Sequence, residues 1–303
     1  TTALPAGTTL AANGLFSGTV SVGSATTYSF DVRATDVENQ DASRTFSLTV
    51  LVPPARRLWR TGRNLYGQLG SNDTYNISSF TQLGTGVDWE MISMGQWVSL
   101  AIKQNGTLWA LGGWGNVAIA GNYVDRSSPV QIGTNTNWLR VSVGDSHALA
   151  VKTDGTLWSW GNNGNGRLGL NNTTGYSSPK QVGALTTWNN LACGGGSSIC
   201  NQTDGTLWTW GAGNHGRLGH GNYTSYSSPK QVGALTNWAV PAAGYNSHTC
   251  VKTDGTLWSW GKNNYGQLGL GNTTYYSSPK QIGSLLTWAV PLQGVNTTGC
   301  IQT

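Results

Sequence analysis

The feature that most constrains this chain is a string of residues that recurs at a fixed interval. KTDGTLWSWG occupies residues 152–161 and returns unchanged at 252–261, and QTDGTLWTWG occupies 202–211 between them. Periods of about 20 to 50 residues are typical of solenoids and propellers, in which each copy is one structural unit. Three identical active sites at this spacing would be unusual, so the string predicts a repeated building unit rather than a catalytic motif.

Tryptophans extend the repeat over most of the chain. Within each unit, apolar and polar residues alternate in short segments, and the pair Asp154-Gly155 is a strong signal for a two-residue hairpin turn. About four strands in each unit predict an all-β propeller with tryptophans in its core. Five units are visible, and the three tryptophan columns are Trp59, Trp109, Trp158, Trp208 and Trp258; Trp89, Trp138, Trp188, Trp238 and Trp288; and Trp160, Trp210 and Trp260.

Residues 1–52 have a different pattern and lack the tryptophan period. Segments 26–36 and 43–52 alternate apolar and polar residues as β-strands do, and two shorter strands are expected within 4–20. Pro53 and Pro54 resist regular strand pairing and indicate a linker. The sequence therefore predicts a small β domain at 1–52 and a repeat domain at 53–303.

The repeats resemble those of the regulator of chromosome condensation family. The likeness rests on LWSWGNNGNGRLG, LWTWGAGNHGRLG and LWSWGKNNYGQLG, each followed by SSPKQ, and it covers residues 56–303. It implies a β-propeller, usually of seven blades, so five units predict either a five-bladed ring or a portion of a longer protein. Residues 1–52 resemble part of the putative immunoglobulin-like domains of bacterial surface and phage proteins, with LPAG, GLFSGT and YSFDVRATD carrying the likeness.

The content of charged residues and the positions of the cysteines indicate which classes of protein fit this sequence. Charged residues make up 10% of the chain, against roughly 25% in ordinary soluble domains, and this composition favours an extracellular protein on a virion or a cell surface. The net charge of +5 includes single lysines at equivalent repeat positions, which argues against a nucleic-acid partner. No apolar run is long enough for membrane insertion. Cys200, Cys250 and Cys300 share one repeat position and are expected to be reduced and unbonded.

Residues that could support catalysis or hold a cofactor are sparse. Asp145, Ser146 and His147 lie together in the sequence, but no strained nucleophile elbow accompanies them, and a local hydrogen bond explains them better. No Cys/His spacing indicates zinc, and no Gly-rich loop leads into a phosphate-binding helix. The sequence therefore predicts a protein that is not an enzyme and has neither a cofactor nor a metal.

Recognition is expected where the copies differ from one another. Two loops vary between the units and are rich in aromatic and amide side chains, which stack on sugars and provide large contact areas. The predicted binding residues are Trp97, Trp114, Tyr66, Tyr75, Tyr123, His215, Tyr223, Tyr265 and Tyr275.

The leading hypothesis for function is a structural or adhesive module of a phage virion, such as a tail fibre, or of a bacterial surface. The module would recognise a host-surface glycan or protein receptor, or a neighbouring virion or surface protein, and it allows a homo-oligomer. Two alternatives remain at this point. One is a regulatory propeller that promotes nucleotide exchange on a small GTPase, as the family resemblance implies, and the other is a secreted inhibitor of an enzyme.

Overall fold

The computed structural model describes residues 8–10, 16–18, 26–35, 39–50, 55–113 and 126–302. The chain divides into two compact units, Thr1–Ala55 and Arg56–Thr303. Strands predominate in both units, and a short 3-10 turn occupies Asn214–Gly216. None of the described residues forms a helix that is long and apolar enough to cross a membrane.

The first unit contains two antiparallel strand pairs, β1–β2 and β3–β4. The two long and two short strands predicted from the alternating pattern are confirmed. The rings of Phe30 and Phe46 lie on the same pair of long strands, with their centroids 6.1 Å apart. The strands are β1 (Thr8–Leu10), β2 (Phe16–Gly18), β3 (Thr26–Thr35) and β4 (Asp41–Val50).

The second unit begins with a strand pair and continues as four-stranded antiparallel sheets, termed blades 1 to 4, in which strands follow in sequence order. The pair is β5 (Trp59–Gly62) and β6 (Ile77–Gln82). Blade 1 comprises β7 (Trp89–Met94), β8 (Val98–Lys103), β9 (Leu108–Gly112) and β10 (Arg126–Gln131). Blade 2 comprises β11 (Trp138–Val143), β12 (His147–Lys152), β13 (Leu157–Gly161) and β14 (Tyr176–Gln181).

The same arrangement continues toward the end of the described chain, where a second strand pair follows blade 4. Blade 3 comprises β15 (Trp188–Cys193), β16 (Ser197–Gln202), β17 (Leu207–Gly211) and β18 (Tyr226–Gln231). Blade 4 comprises β19 (Trp238–Ala243), β20 (Ser247–Lys252), β21 (Leu257–Gly261) and β22 (Tyr276–Gln281). The final pair is β23 (Trp288–Gln293) and β24 (Thr298–Gln302).

The sequence repeat is offset by two strands from the structural blade. A repeat that starts at the first Trp of the string begins on the third strand of one blade and ends on the second strand of the next. The segment 182–187, for example, leaves the fourth strand of blade 2 and leads into the first strand of blade 3. The prediction of propeller-like blades is confirmed, but the five sequence units form four whole blades and two strand pairs in the described residues.

The TDGTLW segment forms a self-contained hairpin turn, which explains its repetition. Asp154 Oδ1 accepts hydrogen bonds from the Thr156 amide and hydroxyl at 3.0 and 2.7 Å, and Thr156 Oγ1 accepts one from Trp158 Nε1 at 2.9 Å. Gly155 has φ +76, and a Cβ there would lie 2.0 Å from the Thr186 carbonyl oxygen. Only glycine satisfies both conditions, so the string specifies structure.

The three tryptophan columns differ in burial. Trp160, Trp210 and Trp260 are completely buried, and the second column is buried in all four blades. The prediction that all columns belong to the core is wrong for the first column, whose members are half-buried in the blades. Trp59, in the strand pair β5–β6, is 52% exposed, because among the described residues no first and second strands pair with β5.

All four cysteines are free thiols. Cys193, Cys200 and Cys250 are buried, and burial raises the pKa of Cys193 to about 12. Burial also raises the pKa of Cys200 and Cys250. The expectation that Cys200, Cys250 and Cys300 are unbonded is confirmed, and the protonated thiols at the buried positions serve as small core residues.

Candidate binding face

The turns between first and second strands and the long loops between third and fourth strands lie at the same end of each blade, termed the loop face. The start of each long loop is hydrogen-bonded to the turn of its own blade. This pairing recurs in all four blades, so the long loop and the turn of each blade lie side by side. The bonds run from Gly113 N to Trp97 O (2.9 Å), Asn162 N to Ser146 O (2.8 Å), Ala212 N to Gly196 O (2.9 Å) and Lys262 N to Asn246 O (3.0 Å).

A column of glycines brings these turns close together at the centre of the loop face. A Cβ on Gly144 would lie 2.4 Å from the Gly194 carbonyl oxygen, and a Cβ on Gly194 would lie 2.5 Å from the Gly244 carbonyl oxygen. Gly95 and Gly244 are restricted in the same way by the carbonyl oxygens of Gly144 and Gly294, and Gly294 is the fifth glycine of the column. No side chain fits at these positions, and the turns surround a depression of about 630 Å³, termed the axial depression.

The residue after each of these glycines lines the axial depression, and it differs in every copy. These residues range from charged to aromatic and aliphatic, and none of them is among the binding residues predicted from the sequence. A search for repeat positions that vary would have found them, since they fall at one fixed offset from the glycine column. They are Gln96, Asp145, Gly195, Tyr245 and Val295.

Two of the predicted aromatic residues form a cluster with an arginine. The rings of Tyr66 and Trp97 meet edge to face with centroids 4.9 Å apart. The guanidinium of Arg63 lies 5.7 Å from the Tyr66 centroid and 5.4 Å from the Trp97 centroid. Because Tyr66 comes from a long loop and Trp97 from the turn of blade 1, the cluster joins two elements of the loop face. Aromatic rings and arginine are enriched in protein interfaces.

The remaining predicted residues are distributed over the long loops. His215 in blade 3 and Tyr275 in blade 4 form an edge-to-face pair with centroids 5.6 Å apart. Burial, together with nearby Arg217 and Lys262, lowers the pKa of His215, so its ring is neutral at pH 7. Tyr75, Tyr223 and Tyr265 are exposed. Trp114 and Tyr123 lie outside the described residues.

A buried arginine and a partly buried one lie beneath the loop face. Arg167 and Arg217 occupy the same repeat position in the long loops of blades 2 and 3. Burial lowers the pKa of Arg217 to about 10, which leaves its guanidinium charged at neutral pH. Burial also raises the pKa of Asp145, against the opposing effect of both arginines. This group was not predicted from the sequence, although the change between GRLG and GQLG at one repeat position was a visible signal.

The residues considered for catalysis do not form a relay. His147 is completely buried, and its Nε2 pairs with Ser198 Oγ at 2.9 Å. The hydroxyl oxygen of Ser146 instead accepts a hydrogen bond from Arg167 at 2.7 Å. Within the described ranges no cluster of three or more side chains could ligate a metal ion. The loop face therefore presents aromatic rings, amides and arginine side chains rather than a catalytic arrangement.

Family models match both parts of the chain. Residues 154–200, 204–251 and 254–290 match the regulator of chromosome condensation (RCC1) repeat, and residues 139–167 match a second model of that repeat. The chain is a regulator of chromosome condensation-like repeat protein. Residues 1–51 match the putative Ig domain, so an immunoglobulin-like segment precedes the RCC1-like repeats.

Solved structures share the fold of these RCC1-like repeats. Human WBSCR16 is 23% identical with a TM-score of 0.70, covering 86% of this chain and 69% of that chain. Prp20p from Saccharomyces cerevisiae, characterised with its binding to Gsp1p and histones, is 19% identical with a TM-score of 0.70, covering 82% and 64%. Yeast RCC1 (Prp20) bound to Kap60 is 17% identical with a TM-score of 0.70, covering 82% and 63%.

Identities this low establish the fold alone. The chain covers less than two thirds of the length of the two yeast structures. No curated protein matches the chain in sequence. The similar structures therefore establish only the architecture of the RCC1-like repeats. Evidence for function comes from the residues of the loop face.

Proposed function

We propose that this chain is a non-enzymatic binding module that docks a protein partner on its loop face. The observation that carries the proposal is the exposure of Tyr223 and Tyr265, which present 62% and 69% of their surface to solvent. They share the loop face with the Arg63–Tyr66–Trp97 cluster. Exposed large aromatic side chains on one surface favour an interaction site, because their contact with water is unfavourable and their contact with a partner is not.

Structural relatives support a protein as the class of partner. Prp20p binds Gsp1p and histones, and yeast RCC1 is seen bound to Kap60. The RCC1-like fold therefore serves protein recognition in those proteins. In this chain the varied rim of the axial depression, from Gln96 to Val295, provides a different side chain in each copy, and such variation suits an asymmetric protein surface.

The experiment is a comparison of two double variants at opposite ends of the blades. Tyr223→Ser with Tyr265→Ser removes exposed apolar surface from the loop face, and Leu185→Ser with Leu235→Ser removes it from the connections between blades, where both leucines are exposed. Immobilised wild-type and variant proteins are exposed to an extract of the encoding organism and its host, and bound proteins are quantified by mass spectrometry.

We expect at least one protein to be retained by the wild type and by the leucine variant but lost from the tyrosine variant. Both variants should keep the thermal midpoint of the wild type, because the four side chains are exposed. If the tyrosine variant retains the same proteins and the leucine variant loses them, the docking surface lies at the opposite end and the proposal is wrong.

Regulation of a small GTPase is a second candidate, which rests on the family resemblance. The corresponding test follows release of a fluorescent guanine nucleotide from loaded GTPases in the presence of the chain. Faster release that disappears in the tyrosine variant would place nucleotide exchange on the loop face. Release at the intrinsic rate would exclude exchange on the GTPases used and leave the binding proposal intact.

A place on a phage virion or bacterial surface remains part of the proposal. It is supported by the low fraction of charged residues, 10%, and by the immunoglobulin-like segment at 1–51. The partner in that setting is a neighbouring virion or surface protein, or a host receptor. A glycan array probed with the wild type and both double variants tests for a glycan receptor. If the receptor is a glycan, binding to it should be lost in the tyrosine variant and kept in the leucine variant.

A further inference from the structure

Two arginines from neighbouring blades converge on one glycine of the loop face. Arg167 belongs to the long loop of blade 2 and Arg217 to that of blade 3. Arg167 Nη2 lies 3.7 Å, and Arg217 Nη1 3.6 Å, from the point where a Cβ of Gly196 would stand. Gly196 belongs to the turn of blade 3. Its missing side chain therefore leaves a space between the two guanidinium groups.

The hydrogen bonds of the two arginines give them different roles. Arg217 donates to Asn214 O, Asn214 Oδ1 and Tyr245 O at 3.1, 2.7 and 3.1 Å, and only 4% of it is exposed. Arg167 donates from Nη1 to Ser146 Oγ at 2.7 Å and to the Gly195 carbonyl at 3.4 Å, and its Nε is buried without an acceptor among the described residues. Arg217 is held rigidly by the protein, whereas Arg167 is partly exposed and keeps donors for a ligand.

Charge at this place is unbalanced. Asp145 is the carboxylate that interacts with both arginines. The ion pairs Arg56–Glu90 and Lys103–Asp88 involve none of these three residues. Two cations and one anion leave an excess of one positive charge. A buried charge without a full counter-charge is unfavourable, so binding of one further negative charge would stabilise the arrangement.

The turn of blade 3 also differs from its counterparts in shape. It contains three consecutive glycines, 194–196, whereas the positions equivalent to Gly196 hold Trp97, Ser146 and Asn246. Gly194 and Gly195 line the axial depression. The Tyr245 ring lies against Gly195, with Cδ2 2.7 Å from the point where a Cβ of Gly195 would stand, and Gly196 is buried. We therefore expect a ligand to reach the space beside Gly196 along the partly exposed side chain of Arg167.

We propose that Arg167, Arg217 and the space beside Gly196 form a binding site for a carboxylate group, supplied by an acidic side chain of the protein partner. That the carboxylate belongs to a protein partner rests on the function proposed above. A carboxylate is favoured over a more highly charged anion because the excess at the site is one positive charge. Arginine also binds carboxylates through paired, charge-assisted hydrogen bonds, which are stronger than neutral ones.

The site can be tested without a partner, with acetate as the probe. The backbone amide resonance of Gly196 is followed by NMR while sodium acetate replaces sodium chloride at constant ionic strength. We expect a saturable shift in the wild type. Arg167→Gln and Arg217→Gln should weaken acetate binding by roughly tenfold or more, which corresponds to the loss of one charge-assisted hydrogen bond.

The repeats themselves supply the conservative replacement. Gln68 and Gln267 occupy the repeat position of the two arginines, and Gln68 Nε2 donates to the Gln96 carbonyl in the adjacent turn at 3.5 Å. Glutamine is therefore compatible with the loop. Arg57→Gln, at an exposed position away from the site, makes the same change in net charge and should bind acetate as the wild type does.

Gly196→Ala provides a second variant that leaves the charges in place. The added methyl group would meet Ala212 Cβ and the two guanidiniums at 3.5 to 3.7 Å, which is ordinary van der Waals contact. We expect an unchanged thermal midpoint and loss of the acetate-dependent shift, because the methyl group occupies the space that the carboxylate needs.

Three outcomes would overturn the site. These are no saturable shift in the wild type, equal weakening in Arg57→Gln, or tighter binding of inorganic phosphate than of acetate with the same dependence on the arginines. The acetate measurement needs no protein partner, so its failure leaves the proposed docking function untouched. Conversely, the wild type could bind acetate while the tyrosine double variant captures the same proteins as the wild type. That result would support the carboxylate site and reject the loop-face docking proposed above.

Discussion

Replacement of Trp210 by alanine is expected to lower the free energy of unfolding of the second unit by about 3–5 kcal/mol. Trp210 is completely buried, packs against Trp188 with ring centroids 6.1 Å apart, and donates from Nε1 to the Arg167 carbonyl at 2.8 Å. The ring joins blade 3 to the long loop of blade 2. Its removal leaves a large cavity and takes one of two donors from the Arg167 carbonyl, which keeps the Ser198 hydroxyl at 2.7 Å. Urea unfolding followed by circular dichroism measures the cost.

Trp208→Ala is the matched control, two residues away on the same strand. Trp208 is half-buried and its Nε1 bonds to Thr206 Oγ1 at 2.9 Å, within its own hairpin. Its loss is expected to cost roughly 1–2 kcal/mol, since part of the ring already contacts water. Equal costs for the two variants would contradict the assignment of Trp210 to the interface between blades.

Acidification is expected to destabilise the second unit well before its carboxylates titrate. His147 and His248 are completely buried, and burial, with the nearby Arg167 and Arg217, lowers the pKa of each from 6.5 to about 3. Unfolding exposes imidazoles that bind protons below pH 6.5. The stabilisation from neutral burial is therefore complete above pH 6.5 and is lost as the pH falls, by about 2–3 kcal/mol for each imidazole between pH 6.5 and 4.5.

The measurement is the free energy of unfolding in urea at intervals between pH 7 and pH 4.5. His248→Gln should reduce the slope below pH 6 by about 1.4 kcal/mol per pH unit, the value for one proton. His215→Gln, in a partly exposed loop, is the control and should leave most of the slope unchanged. His220, whose pKa is lowered by burial to about 4, contributes equally to all these proteins. A slope in His248→Gln equal to that of the wild type would refute the prediction.

The same two histidines belong to a layer of polar contacts between blades that the sequence repeat does not predict. His147 in blade 2 pairs with Ser198 in blade 3 at 2.9 Å, and Ser197 in blade 3 pairs with His248 in blade 4 at 3.0 Å. Adjacent serines on one strand thus contact both neighbouring blades. Each pair joins strands about fifty residues apart, where buried hydrogen bonds stabilise only the correct alignment of blades.

Sequence was sufficient for structure that forms within a few residues. The hairpin at Asp154–Trp158 closes through hydrogen bonds between near neighbours and through a positive φ at Gly155. These interactions depend on residue type alone, so an identical string produces an identical turn wherever it recurs. Alternation of apolar and polar residues likewise determined the strands of both units, because side chains of a strand point alternately to its two faces.

Part of the candidate site was accessible in the same way. Loop positions that differ between copies are not required by the shared blade, and this reasoning identified Tyr66, Trp97, His215 and Tyr275 from the sequence. Their grouping was not accessible. Tyr66 meets Trp97 from a neighbouring element, and His215 meets Tyr275 across two blades, and such contacts depend on the rotation of one sheet relative to the next.

By itself the sequence determined the period, the strands, the hairpin turns and the residues free to vary. Only the tertiary structure decided which copies meet. Arg167 and Arg217 stand fifty residues apart at one repeat position, and nothing local indicates that both guanidiniums reach Gly196. Their convergence follows from the packing of each blade against the next around the glycine column. That packing is set by side chains of two sheets at once, so no single repeat contains the information.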